Sequence, residues 1–257
     1  MSERGQLTVR NITLGHGIPK ICVPIVEITE EGLLDTAARI RESQADLVEW
    51  RCDHYAGIHD RDRTERLLEE LRAVLGDMPL LFTYRTKTEG GAAAEEISEE
   101  EYAAIVLHAT GTGLVDIVDM ELRMGKPLAE KLQVVAREQG SYILMSCHDF
   151  EKTPSQENMK RTYEQMEARG ADILKLAVMP QSTEDLLTLL TVCKDVSKAS
   201  AHPVVAISMG STGLESRICG EAFGSAMTFG CLERASAPGQ MDVDQLAQVL
   251  RAIHEAH

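Results

Sequence analysis

Short runs of β-type residues alternate with longer segments of helical apolar spacing along the whole of this chain, and that alternation limits the folds open to it. The runs are "KICVPIVE" (20–27), "ADLVEWRCD" (45–53), "LLFTYRT" (80–86), "VDIVDMEL" (115–122), "YILMSCHDF" (142–150), "ADILKLAV" (171–178), "PVVAISM" (203–209) and "SAMTFG" (225–230). Near-continuous apolar strands alternating with helices call for a parallel sheet covered on its outer side by helices. Eight such units in 257 residues match the size of a (β/α)8 TIM barrel, an α/β fold in which closure removes both sheet edges. An open doubly wound sheet is the rival architecture.

Helix starts are marked by Ser98-x-x-Glu101, by Thr153 before Pro154, and by Ser182-x-x-Asp185, because these side-chain oxygens accept from exposed first-turn amides. A closing amphipathic helix follows from Val243, Leu246, Leu250 and Ile253 on one face. Ahead of the first run, "GQLTVRNITLGHG" (5–17) alternates apolar and polar residues and predicts a β-hairpin that plugs the barrel bottom. No linker-like tract divides residues 1–257, so one barrel domain is expected. Pro24 removes a ladder donor from the first strand and is expected near its end or at a bulge.

Composition narrows the function. A net charge of −15 opposes binding to a phosphate backbone, so nucleic acid is not expected as a partner. No apolar run approaches the roughly 20 residues that span a bilayer, and "MSERGQLTVR" lacks the apolar core of a signal peptide. A cytoplasmic protein without a membrane partner is the expectation. The six cysteines contain no C-x-x-C and read as reduced core residues. "GHGIPK" lacks the third glycine of a dinucleotide fingerprint, and no phosphate-binding G-x-x-x-x-G-K-[ST] occurs.

Chemistry is expected at the C-terminal strand ends. The period-two alternation turns Lys175 of the sixth run into the barrel together with Ile173 and Ala177. The same rule turns inward Glu49 and Arg51, Thr83 and Arg85, Asp119 and Glu121, and Ser146 and His148. Adjacent strands lie about 4.8 Å apart, so Lys175 and His148 can serve one bound molecule. An amine partly desolvated beside cations has a lowered pKa and attacks carbonyls. His148 can exchange a proton near neutral pH, and Glu89 after the third run can orient it. Taken singly, a strand lysine is commonly a snorkelling residue and a histidine a structural one. Their joint placement inside the eightfold pattern favours catalysis. Glu49 and Arg51 could instead form a structural ion pair at the barrel mouth. Asp119 and Glu121 lack a histidine at matching spacing and read as partners of the basic groups rather than as metal ligands. The remaining histidines, His16, His54, His59, His108, His202, His254 and His257, have no ligand spacing.

Six stretches, "ADLVEWRCD", "YRTKTEGG", "SCHDFEKTP", "ADILKLAV", "MGSTGLESR" and "SAPGQM", together resemble type I 3-dehydroquinate dehydratases, in order and at compatible spacing over nearly the whole chain. The resemblance implies a homodimeric (β/α)8 hydro-lyase of the shikimate pathway that converts 3-dehydroquinate to 3-dehydroshikimate by syn elimination, without metal or dissociable cofactor. It implies an imine on Lys175, proton transfer by His148 paired with Glu89, and a substrate carboxylate on Arg217 in "GLESR". It further implies that Glu49, Arg51, Arg85, Ser236 and Gln240 hold ring hydroxyls and close the site. Three inward arginines would make the local potential positive inside an acidic protein. A class I aldolase shares the imine-forming lysine and is the enzymatic rival; a non-catalytic barrel is the third reading.

Overall fold

The computed structural model describes residues 5–93, 95–233 and 236–256. Two short strands, β1 (Leu7–Val9) and β2 (Ile12–Leu14), precede the repeating units. The units begin with β3 (Lys20–Ile25), α1 (Glu30–Glu42), β4 (Leu47–Arg51), α2 (Arg61–Leu75), β5 (Leu80–Thr83) and α3 (Glu99–Gly111). They continue with β6 (Ile117–Glu121), α4 (Lys126–Gln139), β7 (Tyr142–Asp149), α5 (Gln156–Ala168), β8 (Ile173–Val178), α6 (Thr183–Ala199) and β9 (Val204–Ser208). The chain closes with α7 (Glu215–Ile218), α8 (Gly220–Phe223), β10 (Met227–Cys231), β11 (Met241–Asp242) and α9 (Val243–Glu255).

Strands β3 to β9 pair in chain order, all parallel, with β10 returning beside β3. A parallel bridge between Val204 and Ser225, with the Ala226 amide donating to Val204 O at 2.7 Å, joins β9 to the entry of β10. The sheet therefore curls into a (β/α)8 barrel rather than an open doubly wound sheet. Pro24 lies one residue before the end of β3; the β10 partners of that strand stop at Cys22, so the missing N–H faces no paired strand.

Helix signals worked where an oxygen could reach the first-turn amides. Ser98 and Glu101 form a capping box on α3, and Ser182 caps α6. Thr153 does not start α5: Ser155 does, accepting from Asn158 N at 3.3 Å, while the Thr153 hydroxyl donates to Met179 O. In α9, Val243, Leu246 and Leu250 are buried as the pattern requires. The seventh unit departs from it, having two four-residue helices in place of one long one, and its α7 carries the buried Arg217.

Inward positions divide the barrel along its axis. At the lower end Leu47, Leu81, Ile117, Leu144, Ile173 and Val205 pack into one cluster with Val9, Ile12 and Leu14 of the antiparallel β1–β2 hairpin. The expected plug is present, and full burial of a side chain such as Leu14 contributes roughly 1.5–3 kcal/mol. Three aspartates just before strands secure this end: Asp46 accepts from Ile21 N, Asp116 from Leu80 N and Asp172 from Ile143 N, at 2.7–2.8 Å. Asp116 also binds Arg72 at 2.7 Å and Arg10 of the hairpin turn. Removing that carboxylate leaves the Leu80 amide unpartnered and the half-buried Arg72 without its counter-ion, with only the Met78 carbonyl to accept from it. Asp116→Ala is expected to lower unfolding stability by about 2–3 kcal/mol, measured by urea denaturation, with the upper site intact.

Candidate active site

Above the apolar layer, continued alternation brings ionisable side chains to the C-terminal end of the strands. Glu49, Arg51, Arg85, Glu89, His148 and Lys175 line one cavity of about 510 Å³, mouth included. Arg217, Ser236 and Gln240 line it too, so every residue expected at the site from sequence meets at one place.

Lys175, from the centre of β8, is 6% exposed, and among the described residues no carboxylate lies within ion-pair distance of its amine. Burial pulls its pKa down, Arg85 adds to the effect, and Glu49 and Asp119 oppose it. The expectation of a depressed amine holds, with desolvation rather than cationic neighbours as the main cause. Each unit of depression raises the neutral, nucleophilic fraction about tenfold at pH values well below the pKa.

On neighbouring β7, His148 Nδ1 lies 2.8 Å from Glu89 Oε2, and the His148 amide donates to the same oxygen at 3.1 Å. Burial pushes the imidazole well below its usual range, reinforced by Arg85, Lys175 and Arg51. Burial also raises Glu89 to about 8, with Glu121 and Asp119 reinforcing and Arg85 opposing. Below about pH 8 the pair therefore holds one proton beyond the imidazole's own N–H, shared along the Nδ1–Oε2 contact, so Nε2 carries hydrogen; once the shared proton is lost, Nδ1–H faces the Glu89 carboxylate and Nε2 is free to accept. Glu89 belongs to the short helical turn Lys87–Glu89, which ends at Gly90 with φ +81°. A Cβ at Gly90 would stand 2.4 Å from the Phe150 ring, and that ring stacks on His148 at 6.3 Å between centroids.

The arginines behave differently from one another. Arg85 donates to Asp119 at 2.9 Å and to Glu121 and Ser146 at 3.0 Å. Burial opposes its charge, but Asp119, Glu121 and Glu89 outweigh that and hold its pKa above the ordinary value. Arg51 makes a two-pronged contact with Asp53, both bonds 2.8 Å, so the alternative Arg51–Glu49 ion pair is not formed. Glu49 instead accepts from the Thr83 hydroxyl at 2.9 Å. The picture of three arginines jointly creating a positive mouth needs correction, since carboxylates neutralise two of them. Arg217 alone has no carboxylate partner among the described residues. It donates to the carbonyls of Phe229 and Pro238 at 3.4 and 3.0 Å, and its Nε is buried without a partner. Burial lowers its pKa to about 10, so it remains a guanidinium cation at neutral pH, ready for an anion.

Residues 236–240 cover this side of the cavity. The Gln240 amide donates to Ser236 Oγ at 2.9 Å and accepts from Ser236 N at 2.7 Å, which links the two side chains. Gly239 has φ +81°, and a Cβ there would stand 2.4 Å from Gly210 O. Gly210 N donates to Pro238 O at 3.2 Å, docking the segment onto the loop after β9.

Sequence reasoning missed the apolar wall, formed by Ile207, Met209, Phe150 and Phe229, and also Asp53. The signals were available: Phe150 stands two residues after His148, Asp53 two after Arg51, and Phe229 occupies an inward position of β10. Asp53 holds more than Arg51, since it accepts from the amides of Arg85 at 3.2 Å and Ala92 at 2.9 Å and so fastens the loop bearing Glu89. Of the other histidines, His16, His59 and His254 are exposed and His54, His108 and His202 half-buried, while His257 lies outside the described residues. All six cysteines are free thiols, four of them buried. No helix among the described residues is long and apolar enough to cross a membrane.

A barrel that desolvates an amine beside an imidazole–carboxylate pair and an unneutralised guanidinium has the layout of an enzyme acting on a carbonyl compound that carries an anionic group. Comparison with known proteins gives the family. The family model for type I 3-dehydroquinase matches residues 21–257. A 3-dehydroquinate dehydratase of Listeria monocytogenes is 42% identical over 250 residues, covering 97% of this chain and 98% of the relative. The Clostridioides difficile enzyme of that name is 38% identical over 252 residues, 98% of each chain. A crystal structure of type I 3-dehydroquinate dehydratase from Clostridium difficile, with covalently modified comenic acid, superposes with a TM-score of 0.95 at 37% identity, covering 99% of this chain and 100% of that one. The Geobacillus kaustophilus 3-dehydroquinate dehydratase structure gives 0.93 at 35% identity, covering 97% and 96%. This chain belongs to the type I 3-dehydroquinase family, whose members are hydro-lyases.

The His148–Glu89 pair has a consequence for stability. Unfolded, a histidine near 6.5 and a glutamate near 4.5 hold no proton between them above pH 6.5; folded, the pair keeps one up to about 8. The native state thus binds more protons across that window, and stability falls as pH rises from about 6.5 to about 8. The drop is on the order of 2 kcal/mol, at about 1.4 kcal/mol per pH unit. Glu89→Gln should abolish it, as read from melting temperatures of both proteins at pH 6.5 and 8.5.

Proposed function

We propose that this chain dehydrates 3-dehydroquinate to 3-dehydroshikimate through an imine on Lys175, as a step of the shikimate pathway toward aromatic amino acids. The observation that carries the reading is the desolvated Lys175 amine, facing the same cavity as the His148–Glu89 pair and the unneutralised Arg217. The covalently modified ligand in the related Clostridium difficile structure is consistent with a nucleophile in such a site.

Chemistry proceeds from these positions. The neutral Lys175 amine adds to the ring ketone; one amine hydrogen and one further proton leave with the ketone oxygen as water, giving an iminium whose nitrogen keeps one hydrogen. The cation withdraws electrons, so the adjacent C–H becomes acidic enough for His148 to take its proton, and the electron pair moves in to form a neutral enamine. The enamine pair then expels the β-hydroxyl, which accepts the proton from His148 and leaves as water. Hydrolysis of the conjugated iminium returns the Lys175 amine. Glu89 holds the imidazole by its Nδ1 side throughout. Arg217 receives the substrate carboxylate, where its unpartnered Nε and a second N–H match two oxygens. Glu49, Arg51 and Arg85, with the linked Ser236–Gln240 pair, bind the ring hydroxyls. A cytoplasmic homodimer is the form proposed, on the family resemblance.

Borohydride reduction in the presence of 3-dehydroquinate should fix a mass adduct on Lys175, found by peptide mass spectrometry. An adduct formed with sugar phosphates instead would point to an aldolase. Lys175→Ala is expected to eliminate the ultraviolet absorbance of the conjugated product while preserving the fold by circular dichroism. His148→Ala should still yield the trapped adduct yet stall turnover. Arg217→Leu should raise KM about a hundredfold with a smaller effect on kcat, because the carboxylate contact exists in ground and transition states alike.

A further inference from the structure

The Lys175 nitrogen has one close partner, and it is apolar. Among the described residues its amine makes no hydrogen bond or ion pair, yet it stands over the face of the Phe229 ring, 4.2 Å from the centroid. That is well inside the roughly 6 Å at which an aromatic quadrupole attracts a cation, in a buried place where water does not screen the attraction. Phe229 is 5% exposed and projects inward from β10, on the far side of the amine from β7 and its histidine. Its carbonyl accepts from Arg217. One residue thus touches both cations of the cavity that lack a carboxylate partner.

We propose that the Phe229 ring face is a catalytic group, stabilising positive charge on the Lys175 nitrogen as the ammonium of the free enzyme and as the iminium during turnover. Its iminium half rests on the imine reading above. Other charged or titratable groups around this nitrogen are Glu49 from β4, Arg85 after β5, Asp119 from β6, His148 from β7 and Cys22 from β3. None of these touches it directly. Glu49 and Asp119 favour the cation from a distance and Arg85 opposes it, whereas the ring acts at contact. Its π face also has no proton to exchange and no nucleophilic atom, so it can stabilise the iminium without competing for the carbonyl carbon. The attraction disappears when the nitrogen becomes neutral in the enamine. The ring therefore favours the two cationic intermediates that flank elimination and keeps the imine protonated, the form that acidifies the adjacent C–H.

The test replaces Phe229 with mono-, di- and trifluorophenylalanine, which keep the ring's shape while draining its face of negative potential, and with leucine as a second variant. Competitive labelling with acetic anhydride across pH, read at the Lys175 peptide, gives the pKa of the amine in the free enzyme. The expected result is a stepwise fall with each added fluorine, reaching about one pH unit in Phe229→Leu. Borohydride trapping with 3-dehydroquinate at a pH above the Lys175 pKa, where the resting amine is neutral and the iminium is the cation on the ring, should fall in the same order, by about tenfold at the end of the series. A Lys175 pKa that stays constant across folded fluorinated variants overturns the proposal. A wild-type enzyme that gives no adduct with 3-dehydroquinate, while its Lys175 pKa still tracks fluorination, overturns the imine reading and the iminium half but retains the ring's effect on the ammonium.

Discussion

The upper half of the barrel is organised around the buried guanidinium of Arg85. From the end of β5 it reaches Asp119 and Glu121 of β6 and Ser146 of β7, and it lies 3.6 Å from Glu89. Two carboxylates this deep would be costly without a cation between them, and one cation there would be costly without the carboxylates. Each makes the other tolerable, and their hydrogen bonds fix the spacing of three strands. Glu121 carries the order outward: its second oxygen accepts from Thr86 Oγ1 at 2.7 Å and Arg123 Nε at 2.9 Å, and its first also accepts from Thr86 N at 2.8 Å. The turn that presents Glu89 to His148 is thereby tied to the barrel centre, while Asp53 ties its far end at Ala92.

Charge balance follows from that arrangement. Arg85 and Arg51 are neutralised within the protein, so in the proposed function their part in binding is directional more than electrostatic. Arg217 is different because it packs under a loop, against carbonyl oxygens only, on a stretch whose helices are too short to bring a carboxylate to it. An acidic protein of net charge −15 can therefore hold an anionic ligand at one point without a broadly positive mouth. In the proposed function, recognition of the carboxylate falls to that single unsatisfied guanidinium.

The repeating pattern of the sequence carried the barrel, the hairpin and the inward alternation, because each depends on local periodicity and on burial of apolar faces. Lys175, His148 and Glu89 were legible because two occupy inward strand positions and the third lies just beyond a strand. Pairings between loops were less accessible. Asp53 rather than Glu49 engages Arg51 because the chain turns into a short helical segment at Cys52–His54, swinging the aspartate back under the guanidinium. The interruption of the seventh helix, and the choice of Ser155 over Thr153 as the α5 cap, depend on how loops settle against neighbours such as Met179. The aromatic wall was hidden for another reason: Phe150 and Phe229 look like ordinary core residues until the ring of ionisable groups around them is assembled.

An amine among so many acids should pair with one, and this one does not. Glu49 and Asp119 both face Lys175 and both favour its protonation, yet each is held by other donors: Glu49 by the Thr83 hydroxyl, Asp119 through one oxygen by Ser146 at 3.0 Å and through the other by Arg85. Had either carboxylate been free to swing onto Nζ, the ion pair would have fixed the ammonium form and removed the lone pair that attacks a carbonyl. In the imine reading proposed above, the donors that restrain these acids therefore protect the nucleophile. Thr83 and Ser146 never need to meet the substrate to matter; they keep the two carboxylates near enough to stabilise a cationic intermediate by their field and too far to capture the resting amine.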